Sequence, residues 1–445
     1  MIGKFTVAIV LGLVFVWSVP DVPALRYWLL FLSLLGVARL TSWQSLPPVW
    51  RANRWVLGLL AAFTLWLVWQ AVFISHQTLW ALKELNGQWL NALLALGLGV
   101  LLACASREKT LLSGAIITTT LIGVWVLQAM IAVSQSVTYW WMHGELLRGL
   151  VPLTGGKLEM SFILNMLLAA LTVDLLFRAC YARRFLQLPW GLVIGAVTVS
   201  LTSLYLAGAR NGAIGLLFLA VSGSLLYSIH RVRHQGVRRG VLGGAMLLAL
   251  VMSLAVISYQ SDSRWPVFTE STRLGWDIDG QRAWMDIDHA PLPLMKSGVA
   301  VDASAYTRVA FIHAGLRLIG ELPLGVGYGR NAFAHALHET GVDAHVGHAH
   351  SGWIDLGIGG GIPAMMLWLL FMGGVIATGG VRYFRDQNPH GLWLLFLASG
   401  FIGRMVIDSV NRDHMLQMFL FLVGYLLVIS MRDDQLRATW NEPFE

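Results

Sequence analysis

The sequence is poor in charge. Asp, Glu, Lys and Arg make up only 12% of its 445 residues, while 56% are hydrophobic. An ordinary soluble domain carries about 25% charged residues. This shortage excludes a soluble body with a single anchor and predicts a chain embedded in a bilayer along most of its length. Cysteine is nearly missing. Cys104 and Cys180 are the only two, each at the end of an apolar run, so no disulfide framework is available and cysteine usage does not identify a compartment. There is no HExxH sequence and no cysteine pair of the kind that marks zinc sites. Nucleic-acid binding has little to rest on despite the net charge of +7. The arginines lie in short segments between apolar runs, where membrane orientation signals are found, and no nucleic-acid partner is expected.

What the chain does have is long apolar runs. A bilayer core takes roughly 20 apolar residues per helix. Runs of that kind lie near 5–19, 24–40, 55–75, 89–105, 110–132, 159–180, 187–207, 212–229, 240–258, 351–379, 391–408 and 413–431. The fold predicted is an all-α integral membrane protein of about twelve transmembrane helices. Met1 to Trp17 resembles a signal peptide but lacks a small-x-small cleavage site, so it reads as an uncleaved first helix. With the N-terminus inside, the inner segments hold most of the basic residues, including Arg51, Arg54, Lys109, Arg183, Arg184, Arg231, Arg233, Arg238 and Arg239. The short outer segments hold only Arg26, Lys83, Arg148, Lys157, Arg210, Arg404 and Arg412. The bias predicts both termini on the inner side. The organisation expected is nine helices over 1–258, one long outer loop over 259–350, three helices over 351–431 and an inner tail over 432–445. Without an organelle-targeting segment, the setting expected is a bacterial inner membrane with a periplasmic loop.

The long loop opens with SYQSDSRWPVF, a polar and proline-punctuated start. From Ala303 to Gly320 it turns helical, with Val309, Ile312, Leu316 and Ile319 at spacings of three and four. Glu321-Leu-Pro and the glycines from Gly325 to Gly329 then break the helix. Loops of more than about 15 residues are usually functional. This one contains His289, His313, His335, His338, His345, His348 and His350. The last three lie in DAHVGHAHSGWIDLGIGGGIP, where a polar segment enters an apolar glycine-rich helix. An ionisable group at such a boundary is a functional candidate, and histidine changes charge near neutral pH. His350 and His348 therefore read either as helix-entry residues bonding free backbone groups, with Ser351 as a cap, or as a general base. A metal site built from His335, His338, His345, His348 and His350 is the weaker reading.

Other polar residues have competing readings. Asp277-Ile-Asp279 and Asp286-Ile-Asp288 offer hard oxygen ligands to a divalent ion, but a solvated loop face is favoured. Arg210, in LAGARNGAIG, and Arg308, in SAYTRVAF, suit phosphate oxygens or snorkelling to head groups. Arg317 lies nine residues beyond Arg308, about two and a half turns, on another side of the helix. Arg404, Asp408, Arg412 and Asp413 read as ion pairs that position helices. Asp174 reads as the local partner of Arg178 rather than a proton relay.

The order of these features is informative. An arginine in a short outer turn (AGARNGA) precedes the long loop. Then come an arginine on a helix with a Pro-Leu-Gly-x-Gly segment (TRVAFIHAGLRLIGELPLGVGYG) and His-Ser before a glycine-rich helix (HSGWIDLGIGGGIP). This resembles the bacterial O-antigen ligase and polymerase superfamily. The resemblance implies a GT-C-like glycosyltransferase that takes a glycan from undecaprenyl pyrophosphate at the periplasmic face, without a metal or other cofactor. It implies that His350 is the essential histidine, followed by Ser351 where asparagine is common. It implies that Arg210 and Arg308 bind the pyrophosphate, with His348 and Arg317 as supporting neighbours. The reaction expected is O-antigen ligation onto the lipid A–core oligosaccharide. The alternatives within the superfamily are O-antigen polymerisation and protein O-glycosylation, whose members often carry a further soluble C-terminal part. Outside it stands a multi-helix transporter or flippase, which usually shows two related halves with polar groups near the midplane. Here the halves differ and the polar groups collect in one loop.

Overall fold

A computed structural model describes residues 2–108, 111–261 and 265–432. Lys109 and residues 433–445, nearly all of the expected inner tail, lie outside this set. The described residues form α1 (Ile2–Val16), α2 (Pro23–Ala38), α3 (Leu46–Phe73), α4 (Thr78–Glu84) and α5 (Asn91–Arg107), then α6 (Gly114–His143), α7 (Lys157–Tyr181), α8 (Trp190–Ala207), α9 (Arg210–Gln235) and α10 (Val237–Ser261). After these come α11 (Trp265–Trp276), α12 (Ala303–Glu321), α13 (Ala332–Glu339), α14 (Gly352–Asp386), α15 (Pro389–Met405) and α16 (Asp413–Ile429). Each of the twelve apolar runs falls on a helix. By length and composition, seven helices among the described residues can cross a membrane: α3, the continuous α4–α5, α6, α7, α8, α9 and α14.

α3 begins well before its apolar run because Pro47 and Pro48 stand in its first turn, where a missing N–H costs nothing. α16 is buried on nearly every side, as its unbroken apolar sequence from Met418 to Val428 requires. It meets α5 at Gly99 and Gly424, where each backbone lies against the other helix and leaves no room for a Cβ.

The long loop is not an open connection. α11 and α12 pair, α13 follows, and Trp284, Tyr306, Phe311, Phe333 and Leu337 form a second core that continues into Ile354 and Ile358 of α14. The expected helix is present as α12. Its start is capped by Asp302, whose carboxylate accepts the Ala305 N–H at 2.8 Å. α11 was not expected, because Trp265-Pro266 reads as punctuation, yet proline is tolerated in a first helical turn.

A second departure from expectation lies in α14. The run 351–379 is not one straight helix but two, joined at Gly361 (φ +75°) just before Pro363. The Pro-Leu-Gly-x-Gly segment fills this break. Val326 and Gly327 donate N–H groups to the carbonyls of Ile358 and Gly359 at 3.0 and 2.9 Å, and Ile362 donates to Pro323 O at 2.8 Å. α3 satisfies further carbonyls there: Gln70 Nε2 donates to Gly359 O at 2.8 Å and Trp66 Nε1 to Gly360 O at 2.7 Å. Broken helices persist in a membrane only where freed backbone groups find such partners. A Cβ on Gly361 would meet the backbone of Pro323 and Leu324, and the backbone there is left-handed. Gly361→Val is therefore expected to destabilise the protein by about 2 kcal/mol or more. Thermal unfolding in detergent checks this against Gly373→Ala, where open space surrounds the glycine and no loss is expected.

Candidate active site

The break in α14 and the α15–α16 connection carry the histidine segment to the start of α12. Arg210 opens α9 directly after the left-handed turn at Gly208 (φ +65°). Its guanidinium lies 3.5 Å from the carboxylate of Asp302, so it faces the N-terminus of α12. Arg308, less than two turns along α12, is half-buried. Among the described residues it has no hydrogen-bond or ion-pair partner. Burial lowers its pKa, as does the charge of Arg210, while Asp408 and Asp302 oppose the shift. Arg210 and Arg308 thus act on one another and converge.

His350 joins them. Its backbone is left-handed (φ +52°), and its ring lies parallel to that of Phe311, three residues beyond Arg308 on α12, with centroids 6.1 Å apart. Its pKa is lowered by burial first, then by the positive charges of Arg308 and Arg412, with Asp408 in partial opposition. His348 packs at 4.1 Å between ring centroids, and its Nε2 lies 3.2 Å from Arg412 Nη2. A guanidinium can only donate, so Nε2 accepts and the proton of His348 resides on Nδ1. Burial, Arg412 and His350 push its pKa down to about 3. Both imidazoles are therefore neutral at pH 7.

The remaining expectations divide. Arg317 does not join the cluster. Its guanidinium forks onto Asp279 at 3.0 and 2.8 Å on the exposed side of α12, because nine residues carry it to another face. That pairing also answers for one Asp-x-Asp sequence. In the other, Asp286 meets His289 at 2.8 Å. His335 packs on Trp80 with centroids 4.2 Å apart, and His345 donates its backbone N–H to Met285 O at 2.7 Å. Among the described residues no group of three or more His, Cys, Asp and Glu is placed to hold a metal ion. Ser351 stands at the N-cap of α14 but does not cap it: its hydroxyl donates to Met405 O at 3.2 Å. Asp174 pairs with Arg178 at 2.5 Å and accepts the N–H groups of Phe185 and Leu186, the local role expected. Arg404 and Asp408 form the expected buried pair at 2.9 Å.

Two residues that read as helix-positioning ion pairs belong to the site: Arg412 bonds His348, and the charges of Arg412 and Asp408 both act on His350. Their one sequence signal was a cluster of charge in a short turn on the loop side of the membrane.

Two cavities adjoin the cluster. One of about 20 Å³ lies beside His348, between Tyr328, Asn331, Asp355 and Arg412, room for one water or hydroxyl. The other, of about 250 Å³, runs among α7, α9 and α15. Phe162, Met166, Phe218, Phe396 and Phe401 line it, with Asn211 and Arg404 among its polar lining residues.

Fold and site together define a multi-pass helical membrane protein that gathers the guanidinium groups of Arg210, Arg308 and Arg412 around the imidazoles of His348 and His350. Residues 194–369 match the family model described as O-antigen ligase, so the resemblance to the O-antigen ligase and polymerase superfamily holds over that segment, which contains Arg210, Arg308, His348 and His350. No curated protein matches the chain.

Proposed function

We propose that the protein is a GT-C-like glycosyltransferase that moves O-antigen polysaccharide from undecaprenyl pyrophosphate onto the lipid A–core oligosaccharide. In this reading the twelve apolar helices cross the bacterial inner membrane, both termini are cytoplasmic, and the cluster faces the periplasm. The observation that carries it is the His350 imidazole seated against α12 beside Arg308, which itself lies near Arg210, all inside the matched segment.

Arg210 and Arg308 hold the donor pyrophosphate and stabilise the charge that grows on it as the anomeric carbon–oxygen bond breaks. Arg308 is free to do so, and Arg210 exchanges its 3.5 Å contact with Asp302 for the phosphate. The acceptor hydroxyl attacks the anomeric carbon from the opposite face, and its proton passes to His350. Configuration at that carbon inverts, and pyrophosphate leaves on its lipid. Pyrophosphate is already a good leaving group and two guanidinium groups offset much of its charge, so the step is written without a metal. The mostly apolar cavity that Asn211, next to Arg210, helps to line supports the reading by offering apolar surface for the donor's hydrocarbon chain.

The test is transfer in detergent from purified lipid-linked glycan to purified lipid A–core, with and without chelator. Transfer that chelator leaves unchanged is expected. No transfer, or a requirement for added magnesium, would defeat the proposal. Extension of the glycan on its lipid carrier in place of transfer to core would assign polymerisation.

A further inference from the structure

We infer that Asp355 is a positioning residue for His350, an inference that rests on the reading of His350 as the base. Asp355 stands in the first turn of α14. One carboxylate oxygen accepts the N–H of Ala349, the residue between the two histidines, at 2.8 Å. The other accepts the hydroxyl of Ser409. One side chain therefore ties together the two segments that carry the site: residues 343–351, with His348 and His350, and residues 406–412, with Asp408 and Arg412.

The neighbouring bonds cannot replace it. Gly352 N donates to Asp408 O at 3.1 Å, Asn411 Nδ2 donates to Gly352 O at 3.1 Å, and Ser351 Oγ donates to Met405 O. All of them seat the helix entrance, from residue 351 onward, on the α15–α16 connection. Among the described residues, no other hydrogen bond reaches the backbone of 346–350. Yet this segment holds His350 in a left-handed conformation that a residue with a Cβ seldom adopts. Without the Ala349 bond, the segment is released to extended conformations that swing the imidazole away from Arg308. Asp355 acts here by accepting hydrogen bonds, not by its charge. An asparagine, whose amide oxygen still accepts from Ala349, fills the same role.

The experiment compares Asp355→Ala, Asp355→Asn, Ser409→Ala and His350→Ala in the reconstituted transfer assay. Asp355→Ala is expected to lower kcat roughly 10–100-fold, the scale of misplacing a catalytic group by about 1 Å, with the donor KM held within about twofold. Asp355→Asn is expected to recover most of that loss and to leave the acid limb of the pH profile in place. Wild-type kcat in Asp355→Ala, or an Asp355→Asn no better than the alanine variant, overturns the inference. If Asp355→Ala does not fold, Ser409→Ala decides, since it removes only a hydroxyl: a loss of roughly 3–10-fold in kcat is expected, and no loss overturns the inference. His350→Ala separates the two layers. If it retains wild-type turnover, the base assignment fails. If it is inactive while Asp355→Ala is normal, only the positioning role fails.

Discussion

His350→Ala is expected to reduce transfer by roughly 10²–10⁴-fold, the usual contribution of a positioned general base, with little change in thermal stability. The ring makes no hydrogen bond among the described residues and is only half-buried, so its removal leaves no buried group unpaired. The same geometry sets the pH dependence. Burial, Arg308 and Arg412 lower the pKa of His350, so the neutral form persists below the ordinary histidine value of about 6.5. Activity is lost as pH falls through the lowered pKa, and the acid limb of kcat/KM is expected below 6.5. Arg412→Gln removes one of the positive charges and is expected to move that limb upward. A limb at or above 6.5 in the wild type, unmoved in Arg412→Gln, would count against the assignment.

Arg308→Ala is expected to cost roughly 10²–10³-fold in turnover, as for the loss of a transition-state charge stabiliser. Its guanidinium is half-buried and has no hydrogen-bond or ion-pair partner among the described residues, so an anion can take it up. Arg308→Lys keeps the charge and loses the fork that matches two phosphate oxygens. It should fall between wild type and alanine. Folding should survive both changes, since no internal bond is broken. Arg317→Ala is the control on the same helix. It loses only an exposed pair with Asp279, and turnover is expected to stay within about twofold because such pairs contribute little. Equal losses at Arg308 and Arg317 would show a general effect of charge on α12.

Much of the architecture was legible in the residues. Every apolar run is helical because its composition already separates lipid from water. α12 was readable from spacings of three and four, down to its end at Glu321-Leu-Pro. Arg210 and His350 could be singled out because each is an ionisable group beside an apolar run, and Arg308 through the resemblance carried by the motif order. The break in α14 was less legible. Three glycines and a proline marked it, but the segment that fills the gap, Pro323 to Gly327, lies more than thirty residues earlier. Nothing local ties the two.

From composition and periodicity one reads a helical membrane protein with one long histidine-rich loop, because they report how each segment partitions between water and bilayer. Arg210, Arg308 and His350 are marked by the resemblance that the order of their motifs carries. The bundle alone brought Arg412 and Asp408 onto His350, gave Arg317, already on another face by its spacing, Asp279 as a partner, and gave Ser351 to Met405 in place of the cap. Those choices depend on how α12, α14 and the α15–α16 turn pack across roughly a hundred residues of chain, and hydrogen bonds over that distance leave no periodic trace in sequence.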